Sequence, residues 1–332
     1  MSAADGLLQD ILAHPDDDAP RLVYADWLDE HGDVDRAEFI RVQIETALLK
    51  KENALRPALH ERERDLLDRH EHEWLRELPA PLRKAAAFKR GFVGWLHCSA
   101  LELLRSAERL FRVAPVRSVR LKYATRRLTE LAACPYLARL NRINFSAKGS
   151  RIDGAGASAF FASPYLGGLV EVDLSYNAIG AQGAAALAAC PRLAGLVQLD
   201  LTRNRIGDEG AAALAASPHL ANLEYLTLYG NDVGDAGAAA LAASPHLNRL
   251  DFLSLISNQV GPAGVAALAA ATGLPALTRL RLAFNSVGDR GGDALLASPR
   301  LGRLRELDLR SANVSPLTAM ALRQRFAETL YV

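Results

Sequence analysis

LVQLDLTRNRIGDEGAAALAASP, residues 196–218, is the stretch on which the fold turns. LVEVDLSYNAIGAQGAAALAACP (169–191) precedes it, and LEYLTLYGNDVGDAGAAALAASP (223–245), LDFLSLISNQVGPAGVAALAAAT (250–272) and LTRLRLAFNSVGDRGGDALLASP (277–299) follow. An asparagine recurs in each, at Asn177, Asn204, Asn231, Asn258 and Asn285, spaced by 27 residues every time. Self-similarity at a fixed period of this length is the mark of a solenoid. Each unit reads as a short strand, a turn through Asn, and a helix. Leu223, Leu226 and Leu228 point inward while Tyr225, Thr227 and Tyr229 alternate to the other face, as strand geometry requires. Asp208 and Asp235 stand where helix N-caps are expected, ahead of alanine runs of the highest helix propensity, and Pro218 and Pro245 forbid continuation.

No unit can bury its leucines alone, so stability must come from stacking, each fully buried leucine contributing ~1.5–3 kcal/mol. Stacked strands lie ~4.8 Å apart whereas packed helices need ~8–10 Å, so the stack bends with its sheet inside. The expected class is α/β, a curved solenoid with a concave parallel sheet and convex helices.

The pattern LxxLxLxxNxIG followed by xxGAAALAAS resembles the ribonuclease-inhibitor-like class of leucine-rich repeats, specifically so across residues 166–300. Outward it degrades. The unit from Leu137 keeps Leu140, Ile143 and Phe145 but has SAKGSRI in place of the turn and no matching Asn; the unit from Val113 keeps Val116, Val119 and Leu121. The last unit, LRELDLRSANV, shifts its Asn to Asn313 and runs through a helix begun by Pro316 to LYV. Residues 113–332 thus hold about eight units, with a C-terminal cap.

Upstream, GFVGWLHCSALELLRSAERLFRVAP predicts a strand near Phe92 to His97 and an amphipathic helix with Leu101, Leu104, Ala107, Leu110 and Phe111 inward. Residues 79–112 read as a strand-helix cap on the first repeat, and PAP at 79–81 marks the boundary before it. Residues 1–78 read as an all-helical domain. A helix covers Leu7 to Ala13, and a second starts after DDDAP, burying Leu22, Val23, Ala25 and Leu28 and ending at Gly32. Asp35 and Glu38 look like a capping pair for a third, with Ala37, Ile40, Ile44 and Leu48 on one face. A fourth, after Pro57, aligns Leu59, Leu66, His70 and Trp74.

RLVYADWLDEHGD and RAEFIR within residues 5–78 resemble the bacterial repeat-companion domain. That resemblance implies co-occurrence with repeats and names an architecture, not a reaction.

The net charge of +1 gives no global pull towards nucleic acid or anionic lipid. Local asymmetry is stronger: residues 1–45 hold twelve acids against three arginines, and residues 82–127 hold twelve bases against two acids. The basic run includes Arg83, Lys84, Lys89, Arg90, Arg117, Arg120, Lys122, Arg126 and Arg127, with Tyr123 able to stack on a base. Nucleic-acid binding is therefore the alternative to the favoured reading, in which this run faces the acidic segment of its own chain. Cys98, Cys134 and Cys190 are odd in number with no CxxC spacing, which disfavours a disulfide scaffold or zinc site and points to a reducing, cytoplasmic setting. MSAADGLLQD lacks the basic and apolar regions of a signal peptide, and no membrane-spanning run is present.

Asp26, Asp29 and Glu30 share a helix face and could approach one cation, which makes a metal-dependent enzyme the contrasting alternative, but an exposed acidic face is the better reading. HEHEW at 70–74 lacks the zinc-binding HExxH spacing. Cys134 and Cys190 take the pre-proline place of Ser163, Ser217, Ser244 and Ser298, so that position is expected to need only a small side chain. The asparagine ladder is expected to be structural. No catalytic residue, metal or cofactor is expected. The informative face is the sheet, whose outward Tyr176, Arg203, Tyr225, Tyr229, Phe252, Ile256, Arg279, Arg281 and Phe284 match the composition of binding hot spots. The expected function is a noncatalytic, monomeric protein-interaction module, with Tyr24, Asp26, Trp27 and Asp29 as a second candidate surface.

Overall fold

The computed structural model describes residues 3–147, 149–326 and 330–331. Lys148 of SAKGSRI and Val332 of the closing LYV lie outside the described residues. The chain divides into two compact units, Met1–Arg120 and Leu121–Val332.

The first unit opens with four helices, α1 (Ala3–Ala13), α2 (Ala19–Glu30), α3 (Val34–Leu48) and α4 (Arg56–Trp74). An antiparallel hairpin follows, β1 (Ala86–Lys89) and β2 (Phe92–Ser99), then α5 (Ala100–Val113). Ile11, Ala25, Leu28, Ala37, Ile40, Ile44 and Phe92 form a common core, so the hairpin contributes to the helical packing. At the hairpin tip Gly91 has φ +84°, and a Cβ there would lie 2.5 Å from Ile40 Cγ1. Only glycine fits both constraints. Gln43 of α3 accepts the Gly91 N–H at 2.7 Å and Arg36 donates to the Gly91 carbonyl at 2.6 Å. A capping box opens α5, with Ser99 accepting from the Glu102 N–H and Glu102 from the Ser99 N–H.

Local periodicity misplaced several side chains in this unit. Leu22 and Val23 are exposed, and Arg21 is buried in their stead. Its guanidinium donates to the Asp17 and Pro15 carbonyls at 2.6 and 2.8 Å, tying down the loop before α2. Leu48 is exposed as well. Asp33, not Asp35, caps α3 through the Arg36 N–H, while Asp35 binds Arg69 and His70 and Glu38 binds Arg62. In α5 it is Leu103 that is buried, with Leu101 and Leu104 only partly covered.

The division between units falls within β3 (Ser118–Lys122). The second unit then alternates helix and strand: α6 (Leu128–Ala132), β4 (Arg142–Asn144), α7 (Gly154–Phe161), β5 (Glu171–Asp173), α8 (Gly180–Ala188), β6 (Gln198–Asp200), α9 (Gly207–Ala215) and β7 (Tyr225–Thr227). It continues with α10 (Asp235–Ala242), β8 (Phe252–Ser254), α11 (Pro262–Ala269), β9 (Arg279–Arg281), α12 (Gly288–Ala297), β10 (Glu306–Asp308), α13 (Pro316–Phe326) and β11 (Leu330–Tyr331). Strands β4 to β11 are neighbours in chain order and parallel. This is a leucine-rich-repeat solenoid with its strands along the inner, concave side. In the repeat around β7, Leu220, Leu223, Leu226, Leu228, Val233, Ala238 and Leu241 are all fully buried.

Three polar ladders stitch repeats to their neighbours; the asparagines run through every central repeat, whereas Cys190 and Ala271 interrupt the serines and Ala181 and Pro262 the aspartates. Asn231 accepts from the Asn204 and Ile206 N–H groups and donates to the Leu201 carbonyl at 2.7 Å. Ser150, 27 residues before Asn177, takes the asparagine's place by donating to the Leu121 carbonyl at 3.2 Å. At the other end Ala312 stands at the next 27-residue position, and the ladder stops at Asn285. The pre-proline serines form a second ladder, and here size alone is not what the position uses. Ser244 donates to the Ala215 carbonyl and Ser298 to the Ala269 carbonyl, both at 2.5 Å, each joining the end of the previous helix.

The aspartates form the third ladder, and they do not cap their own helices. Asp208 is the second residue of α9, and its carboxylate accepts the Gly234 and Gly237 N–H groups at the start of α10. Asp235 does the same for Gly261 and Gly264 of the next repeat. Gly237 must lack a Cβ, which would sit 2.6 Å from the Asp208 carboxylate.

Candidate functional site

Strand register arranges the concave face in rows. Arg142, Glu171, Gln198, Tyr225, Phe252, Arg279 and Glu306 form one, and Asn144, Asp173, Asp200, Thr227, Ser254, Arg281 and Asp308 form another. The inward leucines anchor each strand, so these side chains are held on a rigid support.

Four of the sequence-selected residues converge. The Tyr225 and Phe252 rings lie 6.2 Å apart, inclined by 31°. The Arg279 guanidinium covers both, 4.9 and 5.1 Å from their centroids, and Arg281 covers Phe252 at 5.1 Å. The arginines thus lie on the rings instead of around them, which is the favourable cation–π arrangement. Carboxylates fix them there: Arg279 pairs with Asp251 at 2.6 Å and Arg281 with Glu306 at 2.5 Å.

A second group gathers at the strand exits. Arg203 lies 5.7 Å from the Tyr176 ring and 5.4 Å from the Tyr229 ring, and donates to the Tyr229 hydroxyl at 3.3 Å. That hydrogen bond, with one involving Ser257, draws the Tyr229 phenol below its ordinary range. Tyr176, Arg203 and Phe284 all adopt left-handed backbone, with φ of 60°, 53° and 56°. Side chains of this size are rarely accepted in that conformation. It swings Tyr176 and Phe284 outward, each 59% exposed. Ile256 is half-buried nearby. Phe284 makes no ring contact among the described residues.

Sequence reasoning missed the acidic end of this face. Glu171, Asp173, Gln198, Asp200, Tyr225, Thr227 and Phe252 line a shallow hollow of about 220 Å³. Burial raises Glu171 and Asp200 above the usual carboxylate range; Arg142 pulls Glu171 back, while Asp173 pushes both up. The signal was present as Asp173 and Asp200, one repeat apart at the same strand position. The face therefore presents carboxylates beside an aromatic–arginine cluster.

The second candidate surface lies on α2. Arg41 binds Asp26 and Asp29 at 2.6 and 2.7 Å, and Tyr24 stacks on Trp27, both packing against the core. Among the described residues no group of three or more His, Cys, Asp or Glu side chains is placed to hold a metal ion. The three thiols are buried and none is in a disulfide. In the basic run, Arg117 pairs with Asp16 at 3.0 Å and Arg90 with Asp18 at 3.5 Å, within the first unit. No described helix is long and apolar enough to cross a membrane.

A family model described as a leucine-rich repeat matches residues 169–188, 196–215, 219–242 and 274–296. The skipped repeat around β8 keeps the pattern, with Leu250, Leu253, Leu255 and Val260 fully buried. Comparison with the curated proteins found no match. Among solved structures the chain is similar to an internalin from Listeria monocytogenes, at 18% identity and TM-score 0.44, over 69% of this chain and 64% of that one. A protein from Bacteroides fragilis aligns at 14% identity and TM-score 0.40, over 69% of this chain and 66% of that one. A tropomodulin C-terminal domain from Caenorhabditis elegans aligns at 16% identity and TM-score 0.34, over 40% of this chain and 84% of that one. The chain thus spans slightly less than two thirds of the internalin and of the Bacteroides protein.

Proposed function

We propose that this chain is a noncatalytic interaction module whose protein partner docks on the concave strand face of its repeats. The observation that carries this reading is the cluster of Tyr225, Phe252, Arg279 and Arg281, in which two aromatic rings and two arginines are held rigidly on adjacent strands. Aromatic and arginine side chains are the types that dominate binding energy at interfaces. Leucine-rich repeats commonly serve as interaction surfaces, which agrees with it. In this reading the repeats are of the ribonuclease-inhibitor-like type, supported by the constant 27-residue period and a full helix in each central unit. Residues 1–78 act as a repeat-companion domain, supported by the RLVYADWLDEHGD segment. Three separate, buried thiols support a reducing cytoplasmic location.

Affinity capture with wild type and a Tyr225→Ala, Phe252→Ala double variant, followed by mass spectrometry, tests the docking face. Loss of one hot-spot side chain weakens binding about 30-fold or more. The wild-type partner is expected to disappear from the variant's capture while circular dichroism stays unchanged; undiminished capture rejects this face.

A further inference from the structure

The first unit contains a cavity of about 220 Å³ whose lining includes Tyr24, Arg36, Glu73, Trp74, Glu77 and Phe88. Arg36 lies among aromatic rings, 4.6 Å from the Trp74 centroid and 5.4 Å from each of Phe39, Phe88 and Phe92. Its Nη2 donates to the Gly91 carbonyl and its Nη1 is closed off from solvent without a hydrogen-bond partner, so a ligand meets the remaining part of the half-buried side chain, which lines the cavity. A guanidinium carries five N–H donors and is well matched to a carboxylate, yet no carboxylate pairs with this one among the described residues. Burial lowers its pKa to about 10, and it remains a cation at neutral pH.

Negative charge is present at the same cavity: Asp33 and Glu77 favour the charged guanidinium through space without pairing with it. Glu73 and Glu77 are exposed and form no ion pair among the described residues, and Asp33 also belongs to the lining. A simple anion seeking Arg36 would enter past three carboxylates. A simple cation drawn by them would face the guanidinium at the same cavity. A small zwitterion satisfies both, and the rings offer its body an apolar wall.

We infer that this cavity binds a free amino acid, its carboxylate on Arg36, its ammonium group towards Glu73 and Glu77, and its side chain against Tyr24 and Phe88. The cavity has room for one such molecule. This site is separate from the concave face, and its test does not depend on that reading.

Calorimetric titration of the full chain with L-leucine and L-phenylalanine, beside 3-phenylpropionate and phenethylamine, separates the charge requirements. One amino acid is expected to bind saturably and at least tenfold more tightly than either singly charged probe. Absence of saturable binding by both amino acids, or equal binding by a singly charged probe, overturns the inference. Arg36 also braces the hairpin tip, so the variant of choice is Glu77→Gln at an exposed, unpaired position. It is expected to weaken amino-acid binding about tenfold and leave 3-phenylpropionate no weaker; unchanged amino-acid affinity overturns the placement of the ammonium group.

Discussion

Asp208 accepts the backbone N–H of Gly237 at 2.9 Å from the neighbouring repeat, so a helix here is capped by the repeat before it. Gly234, the N-cap residue of α10, offers no side chain for the purpose. Replacing Asp208 by Ala is expected to cost about 1 kcal/mol, the usual value of a cap. The distinguishing measurement is hydrogen exchange: protection should fall at residues 235–238, with little change in α9. Loss confined to α9 would show that Asp208 serves its own helix.

Asn231 serves two repeats through both ends of its amide. Asn231→Ala leaves the Asn204 and Ile206 N–H groups without their acceptor, at about 1–3 kcal/mol for each such group, while the Leu201 carbonyl loses one of its two donors and keeps Asn204 Nδ2. Denaturant unfolding should show a loss of roughly 2–5 kcal/mol. Asn231→Asp, which accepts but cannot donate at neutral pH, should also destabilise; wild-type stability in that variant would make the Leu201 contact irrelevant.

Ser244→Ala tests whether a small side chain suffices before the proline. The Ser244 hydroxyl donates to the buried Ala215 carbonyl. Its removal should lower unfolding free energy by about 1–2 kcal/mol, since the carbonyl loses its acceptor role inside the stack. Equal stability of Ser and Ala at this position would restore the size-only explanation.

Asp173 and Asp200 are directly opposed across β5 and β6, which is an unfavourable placement for like charges. Burial, first, and the charge of Asp173 hold Asp200 above the usual range, against the hydrogen bonds from Thr202. A carboxyl whose folded pKa is raised costs stability when ionised, and the cost disappears below its unfolded pKa of about 3.9. Asp200→Asn should therefore stabilise the protein by up to ~1 kcal/mol at pH 7 and by nothing at pH 3. An equal gain at both pH values would trace it to packing instead.

The solenoid was legible in the sequence because a 27-residue period repeats one environment, so each leucine is read several times over. Tyr225, Phe252, Arg279 and Arg281 were legible for the same reason, since strand alternation fixes which face they occupy. Relations between elements were not. The aspartates lie at helix starts in sequence, but stacking brings the next helix start within reach of their carboxylates. Arg21 displaced Leu22 and Val23 from the interior because a loop supplied carbonyls that no periodicity encodes. The β1 strand escaped notice because AAFK has no alternation of its own and is defined by pairing with β2. Nor does any local pattern foretell an arginine closed among rings drawn from α3, α4, β1 and β2.

The asparagine, serine and aspartate ladders share one register, so the array can change its length only in whole periods. Inserting 27 residues between Asn204 and Asn231 would leave every rung with a mate, whereas inserting 26 would strand all three ladders at the seam. Such an insertion would also slide the Asp173 and Asp200 carboxylates one strand spacing, ~4.8 Å, away from Tyr225 and Phe252. The same stitching that keeps the stack together makes the spacing of its surface features adjustable in fixed steps.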